Sequence, residues 1–233
     1  MSESVYKMFS DIAPNYDRTN SVLSLGIHHL WRRAAVRASG ARRGNAALDC
    51  ATGTGDLALA LKKAVGKEGV VVGTDFNADM LSSAPGKGQA KGLDVRWEVA
   101  DVMNLPYADA TFDIATIAFG IRNVDDPVRA LSEMARVCKP SGRVVVLEFG
   151  QPRGIIGLTF RLYSRYIIPF VGGLLTGNKK AYEYLPATAA AFPSGNEFLK
   201  LMQATGRFSH TTVEPLTGGI AYLYSGAISV GLR

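Results

Sequence analysis

Two hydrophobic periods alternate along the chain. Apolar runs at 46–50, 70–74, 112–119 and 143–149 are short and read as strands, and FDIATIAF (112–119) is continuously apolar, as a buried central strand requires. Val95, Trp97 and Val99 alternate within 94–99 and add a strand. Helical spacing fills the gaps: Leu57, Leu61, Ala64 and Val65 within 56–65, and Val128, Leu131, Met134 and Ala135 behind a cap at Asp125 or Asp126 and Pro127. A helix starting over 77–84 is interrupted by Pro85, Gly86 and Gly88, so that it is short or restarts, and Lys139-Pro140-Ser141-Gly142 stops the helix before the strand at 143. A helix at 194–205 precedes two strands, 208–213 and 220–230, joined through Leu216-Thr217-Gly218-Gly219 as a hairpin at one sheet edge. Strand–helix–strand succession makes the first strands parallel. The pattern predicts an α/β, Rossmann-like fold: a seven-stranded, mostly parallel sheet with a C-terminal β-hairpin, in a single domain over 1–233.

Two regions stand outside that alternation. Residues 1–40 form an N-terminal helical cap of two or three short helices, broken at Pro14 and near Gly26, with Trp31, Ala34, Ala35 and Ala38 as an apolar stripe. Phe9, Ile12 and Tyr16 face either a pocket or the core. Residues 150–190 read as a lid insertion. From Phe149 to Tyr182 there is no acid, and there are five bases: Arg153, Arg161, Arg165, Lys179 and Lys180. A membrane span needs about 20 nearly uncharged residues. Arg161 and Arg165 deny this, and Pro169, Gly172 and Gly173 are expected to break the segment into one or two helices over the site. They either carry a solvated face beside a core face or meet anionic lipid headgroups.

Composition changes this picture little. The 233 residues carry a net charge of +6, which permits nucleic acid, an anionic membrane or an acidic ligand as partner and selects none. The two cysteines lack ligand spacing, so no metal site is expected. MSESVYKMFSD has no apolar core like that of a signal peptide, and the expected location is cytoplasmic.

The candidate chemistry gathers at LDCATGTGD (48–56), a strand, a glycine turn and a helix start. Gly53 and Gly55 let the backbone turn tightly and bring a cofactor to the helix N-terminus. Gly53 to Ala58 also fits G-x-G-x-x-A, the dinucleotide fingerprint. Asp75, 20 residues beyond Gly55, ends the second strand, where a carboxylate accepts from a ribose diol. Asp101, past the third strand, is placed to accept from an adenine amine. A nicotinamide cofactor accounts for the glycines and Asp75 only. S-adenosyl-L-methionine accounts also for Asp49, which supports the turn beside the sulfonium end, for Asp101 and for the closing hairpin. A class I S-adenosylmethionine-dependent methyltransferase is the expectation.

The stretches MFSDIAPNYDRTNSVLSLGIHHLWRR, LDCATGTGD, AFGIRNVDDPVRALSEMARVCKPSGRVVVLEF, YEYLPATAAAFP and LTGGIAYLYSG cover most of the chain. Through them it resembles the menaquinone/ubiquinone-biosynthesis C-methyltransferase family. FGIRNV and SLG-x-x-x-x-W are far more specific than the glycine turn. The resemblance implies C-methylation of a polyprenylated quinol ring: demethylmenaquinol, or alternatively 2-methoxy-6-polyprenyl-1,4-benzoquinol. A non-catalytic subunit of a quinone-synthesis complex is the rival from another class. Thr54, Asp75, Asp101 and Val102 match the family's cofactor contacts. Thr52 stands where many members have Gly, and Ala118 where many have Ser, which removes a hydroxyl near the methionine part. Arg122, Asn123 and Tyr16 are the catalytic candidates: Arg122 stabilises a quinolate or orients a water, Asn123 binds a ring oxygen, and Tyr16 adds a hydrogen bond from the lid side. A salt bridge from Arg122 to Asp125 or Asp126 is the competing role, and His28 or His29 is a weaker candidate for the base. The partners implied are the quinol and a transient, peripheral contact with the inner face of the membrane, with no nucleic acid; a homodimer is left open.

Overall fold

A computed structural model describes residues 3–230; the outermost positions of the domain expected over 1–233 lie outside the described residues. The chain opens with α1 (Glu3–Ile12), α2 (Tyr16–Leu23) and α3 (Ile27–Ser39). Pro14 lies in a single 3-10 turn between the first two, and Gly26, at φ 76°, starts the third in the left-handed conformation that glycine tolerates. There follow β1 (Ala46–Cys50), α4 (Asp56–Val65), β2 (Val70–Asp75), α5 (Ala78–Leu81), α6 (Ala84–Ala90), β3 (Arg96–Val99), β4 (Phe112–Ala118), α7 (Pro127–Val137) and β5 (Cys138–Phe149). After α8 (Gly154–Leu162), α9 (Ile168–Thr176), α10 (Lys179–Ala191) and α11 (Asn196–Ala204), the chain ends in β6 (Phe208–Leu216) and β7 (Ala221–Ile228).

The seven strands form one sheet in the order β3-β2-β1-β4-β5-β7-β6. β1 to β5 are parallel, and β7 runs antiparallel to both β5 and β6. The chain leaves β1 towards one edge and returns through β4 towards the other, so the switch point lies at the carboxyl ends of β1 and β4, where ligands bind in such sheets. One core packs α7 and α11 on one face of the sheet, with Leu131, Met134, Phe198 and Met202 fully buried. The other packs α3 and α4, through Trp31, Ala35, Leu57 and Leu61. A third, small cluster of Ile12, Leu23, Ile168, Ala181 and Tyr182 joins the N-terminal helices to α9 and α10 above the sheet.

The helix expected from Asn77 is short and restarts: the Asn77 side chain caps α5, and Pro85 sits in the first turn of α6, where its missing N–H costs nothing. Two local expectations are corrected. The loop 139–142 does not precede the fifth strand but lies within it: Phe112 pairs with Cys138, pairing resumes at Ile114 and Arg143, and the residues between bulge out with Ser141 at φ 64°. Finally, Pro169, Gly172 and Gly173 do not break the lid. Residues 154–176 run as one helical rod in which Tyr163–Ile167 form a π turn just before Pro169. Proline has no N–H for the preceding turn, and a widened turn absorbs the mismatch. A side chain at Gly172 would collide with the Tyr182 ring, so the glycine is there to let α9 and α10 approach.

Candidate active site

Past β1 the backbone turns through Ala51 (φ 47°) and Gly53 (φ 56°). The Gly53 N–H donates to Asp75 Oδ2 at 2.8 Å, and the Asn77 N–H donates to Asp75 Oδ1 at 2.8 Å. Each carboxylate oxygen thus keeps lone-pair capacity for an incoming hydroxyl. Burial pushes the Asp75 pKa upward, and these main-chain donors oppose it. Asp101 Oδ1 accepts the Met103 N–H at 2.9 Å. Asp75, Asp101, Val102 and Gly53 line a cavity of about 90 Å³ with Phe76, Met80 and Met103 on its apolar sides. Acceptors for a diol and an amine, with apolar walls for a flat base, fit an adenosine group; Asp75 and Asp101 are the residues that would hold it.

The rest of the turn also makes structural contacts. Gly55 lines neither this cavity nor its two neighbours. A Cβ there would come within 2.5 Å of the Trp97 ring, so this glycine lets β3 pack against the helix start. Thr54 is buried and gives its hydroxyl to Asp17 Oδ1 of α2 at 2.5 Å. Lys87 of α6 joins the same group, 2.7 Å from Asp17 and 2.5 Å from Asp56. Burial alone would raise the Asp56 pKa; Arg32 and Lys87 bring it below the usual carboxylate range. This polar cluster clasps the N-terminal helices to the turn. Asp49 is 1% exposed and accepts from Thr52 Oγ1 (2.5 Å) and Thr116 Oγ1 (2.6 Å), yet burial still pushes its pKa up to about 6. It lines a small pocket of about 30 Å³ with Tyr16, Thr52, Thr54 and Ala118.

A larger cavity, about 370 Å³, lies between the N-terminal helices, the lid and the carboxyl edge of the sheet. Phe9, Tyr16 and Phe119 line both it and the cavity that holds Asp75 and Asp101. Phe119 ends the central strand at φ 57°, a conformation rare for an aromatic residue. Its carbonyl accepts from Arg122 Nη1, which also donates to Glu148 Oε1 at 2.8 Å. Arg122 therefore pairs with Glu148 of β5. Asn123 Oδ1 accepts from the Tyr184 hydroxyl at 3.1 Å. Burial raises the Tyr16 pKa, and Arg122, Arg32 and Asn20 act against that rise. His28 faces the large cavity, but its Nδ1 accepts from Arg32 at 2.7 Å, and burial and then the Arg32 charge lower its pKa to about 4. That leaves it a weak base; His29 is exposed on the same helix.

A family model described as the ubiE/COQ5 methyltransferase family matches residues 1–228. The chain belongs to this family. It is 55% identical to the ubiquinone/menaquinone biosynthesis C-methyltransferase UbiE of Bdellovibrio bacteriovorus over 97% of this chain and 96% of that protein. It is 49% identical to the demethylmenaquinone methyltransferase of Thermus thermophilus, over 94% and 99% respectively. Among solved structures it resembles a SAM-dependent methyltransferase of Thermotoga maritima, titled a possible histamine N-methyltransferase (TM-score 0.66, 21% identity, 96% and 100% covered). It also resembles phosphoethanolamine N-methyltransferase 2 of Haemonchus contortus in complex with S-adenosyl-L-methionine (TM-score 0.61, 16% identity, 85% and 52% covered). These two likenesses show the fold.

Within this ubiE/COQ5 member, sequence reasoning overlooked Glu148, Tyr184 and the Asp17–Lys87 clasp. Glu148 had a signal: it is the one acid in RVVVLEF, and a carboxylate in a buried strand needs a partner. Tyr184 and Asp17 had none, because their partners lie 61 and 37 residues away.

Proposed function

We propose that the protein transfers a methyl group to a ring carbon of a polyprenylated quinol, with demethylmenaquinol as the acceptor. The observation that carries this reading is the 370 Å³ cavity: largely apolar, walled by the cap and the lid, and sharing Phe9, Tyr16 and Phe119 with the cavity that holds Asp75 and Asp101. S-adenosylmethionine, when bound, supplies an electrophilic methyl group. The chain has to hold the ring in line with it and to favour loss of the quinol hydroxyl proton to a water oriented by Arg122, which makes the ring carbon nucleophilic; the hydrogen on that carbon then leaves as a proton to water when the ring regains aromaticity. Fixed orientation supplies much of the acceleration. Arg122 stays protonated and stabilises the developing quinolate, a preorganised charge of the kind that usually contributes most. Tyr16 donates from the cap, and Asn123, held by Tyr184, fixes a ring oxygen. Thr54 and Val102 support the cofactor side through the main chain.

The outer face of the lid fits a lipid surface. Ile155, Leu158, Leu162, Tyr166, Phe170 and Leu174 are more than half exposed, and Arg161 and Arg165 are exposed on the same rod. Among the described residues no helix is long and apolar enough to cross a membrane. Shallow docking beside anionic headgroups would let a prenylated quinol enter without crossing water. Replacing Arg161 and Arg165 together by Glu is expected to weaken binding to anionic vesicles at least tenfold, at about 1 kcal/mol per lost basic charge with repulsion added. Equal binding of the parent protein to neutral and anionic vesicles at low salt would contradict the electrostatic part. Mass spectrometry of quinones in cells with and without the protein tests the reaction: its loss should leave demethylmenaquinone in place of menaquinone, and an unchanged quinone profile refutes the proposal.

A further inference from the structure

Arg122 is the buried cation on which the acceptor reading depends: its side chain is 3% exposed. A guanidinium out of water needs a counter-charge and fixed partners. Glu148, one residue from the end of β5 and 1% exposed, supplies them. Its Oε1 accepts from Arg122 Nη1 and from the Phe149 N–H, both at 2.8 Å, and its Oε2 accepts the Arg122 main-chain N–H at 3.4 Å. The Phe149 ring lies 5.4 Å from the guanidinium carbon. Nη1 is thus committed twice, whereas Nε is buried with no partner. Arg122 lines the large cavity, but Glu148 lines none of the three, so it reaches a ligand only through Arg122.

We propose that Glu148 is a positioning residue that sets both the aim and the net charge of Arg122. The pair is neutral before the acceptor ionises, and the guanidinium, held on its Nη1 side by Glu148 and the Phe119 carbonyl, is aimed at the cavity it lines, where a ring oxygen would sit. This role rests on the quinol reading above. It makes Glu148 a restraint as well as an anchor: it fixes Arg122 while moderating how strongly the site favours an aryl oxide. A charge about 7 Å from the ring oxygen, at an effective dielectric of about 20, changes the ionisation of that oxygen by tenfold or more.

Binding and ionisation of 1-naphthol, followed by its absorbance across pH, test this without cofactor or turnover. In the parent protein bound naphthol should ionise at a lower pH than free naphthol. In Glu148→Gln it should ionise at least one pH unit lower still, and in Arg122→Met the lowering should disappear. A purely structural Glu148 would alter the amount of folded protein and leave the titration of the bound probe unmoved. An identical titration in parent and Glu148→Gln therefore refutes the role of Glu148 alone. Failure of the parent to bind naphthol refutes the acceptor reading and this role with it. If Glu148→Gln does not fold, Glu148→Asp keeps the charge but withdraws it by one methylene. It should then lower kcat about tenfold at unchanged KM, from misaimed Arg122; parental kcat in that variant overturns the proposal.

Discussion

The two cavities that share Tyr16 and Phe119 are built in opposite ways. In the smaller one the polar groups are main chain and carboxylates at the ends of three neighbouring parallel strands: Gly53 after β1, Asp75 closing β2 and Asp101 after β3. The acceptor cavity is made almost wholly of side chains, drawn from α1, α2, α3, the 119–122 loop, the lid and α10. The first depends on local turns and register, so its shape changes little with outer side chains. The second depends on distant helices meeting, and on Arg122 and Tyr184 in an apolar wall, each held by a partner outside that cavity: Glu148 behind Arg122, and Asn123, which lines the first cavity, beside Tyr184. Cofactor class is a property of the sheet edge; acceptor choice is a property of the cover.

Substitutions should separate the two halves. Asp75→Ala removes the acceptor of the expected diol and leaves the Gly53 and Asn77 N–H groups without their partner. At about 1.5–3 kcal/mol per charge-assisted hydrogen bond, S-adenosylhomocysteine affinity by calorimetry should fall 100-fold or more, with naphthol binding retained. Arg122→Met should do the reverse, lowering kcat by about 100–1000-fold as loss of a preorganised charge does, with cofactor affinity within threefold. If both variants lose both ligands, the halves are not separable.

A smaller effect concerns the floor between them. Burial raises the Asp49 pKa to about 6. A carboxyl whose folded pKa lies above its unfolded one opposes folding once ionised: the penalty is absent below about pH 4, grows as pH rises to 6 and is constant above, at roughly 2–3 kcal/mol. Asp49→Asn should therefore raise the melting temperature at pH 7.5 and not at pH 4. An equal shift at both values would mean that Asp49 is held ionised throughout. The smallest change expected is Tyr184→Phe, which removes one neutral hydrogen bond to Asn123 and should lower kcat/KM about three- to tenfold.

The same contrast explains what was legible. Strand periodicity, the turn at Gly53 and the step to Asp75 are local, and each survives in the fold. The left-handed Gly26, the Asp126 cap and the hairpin edge are local as well. What escaped is non-local. Arg122 pairs with Glu148, 26 residues further on, because β4 and β5 lie side by side and bring their carboxyl ends together. The further contacts of Thr54 and Gly55 are non-local too: the Thr54 hydroxyl donates to Asp17 of the cap, and Gly55 leaves room for Trp97 of β3. Pro169 and the lid glycines looked like breaks, whereas a π turn and the Tyr182 ring accommodate them.

The most direct test is transfer of a labelled methyl group from S-adenosylmethionine by purified protein to a short-chain demethylmenaquinol kept reduced, with the product located by mass spectrometry and NMR. The account predicts one labelled methyl on the free ring carbon, abolished by Asp75→Ala through cofactor affinity and by Arg122→Met through kcat. A label on oxygen, or no transfer while both ligands bind, would contradict it.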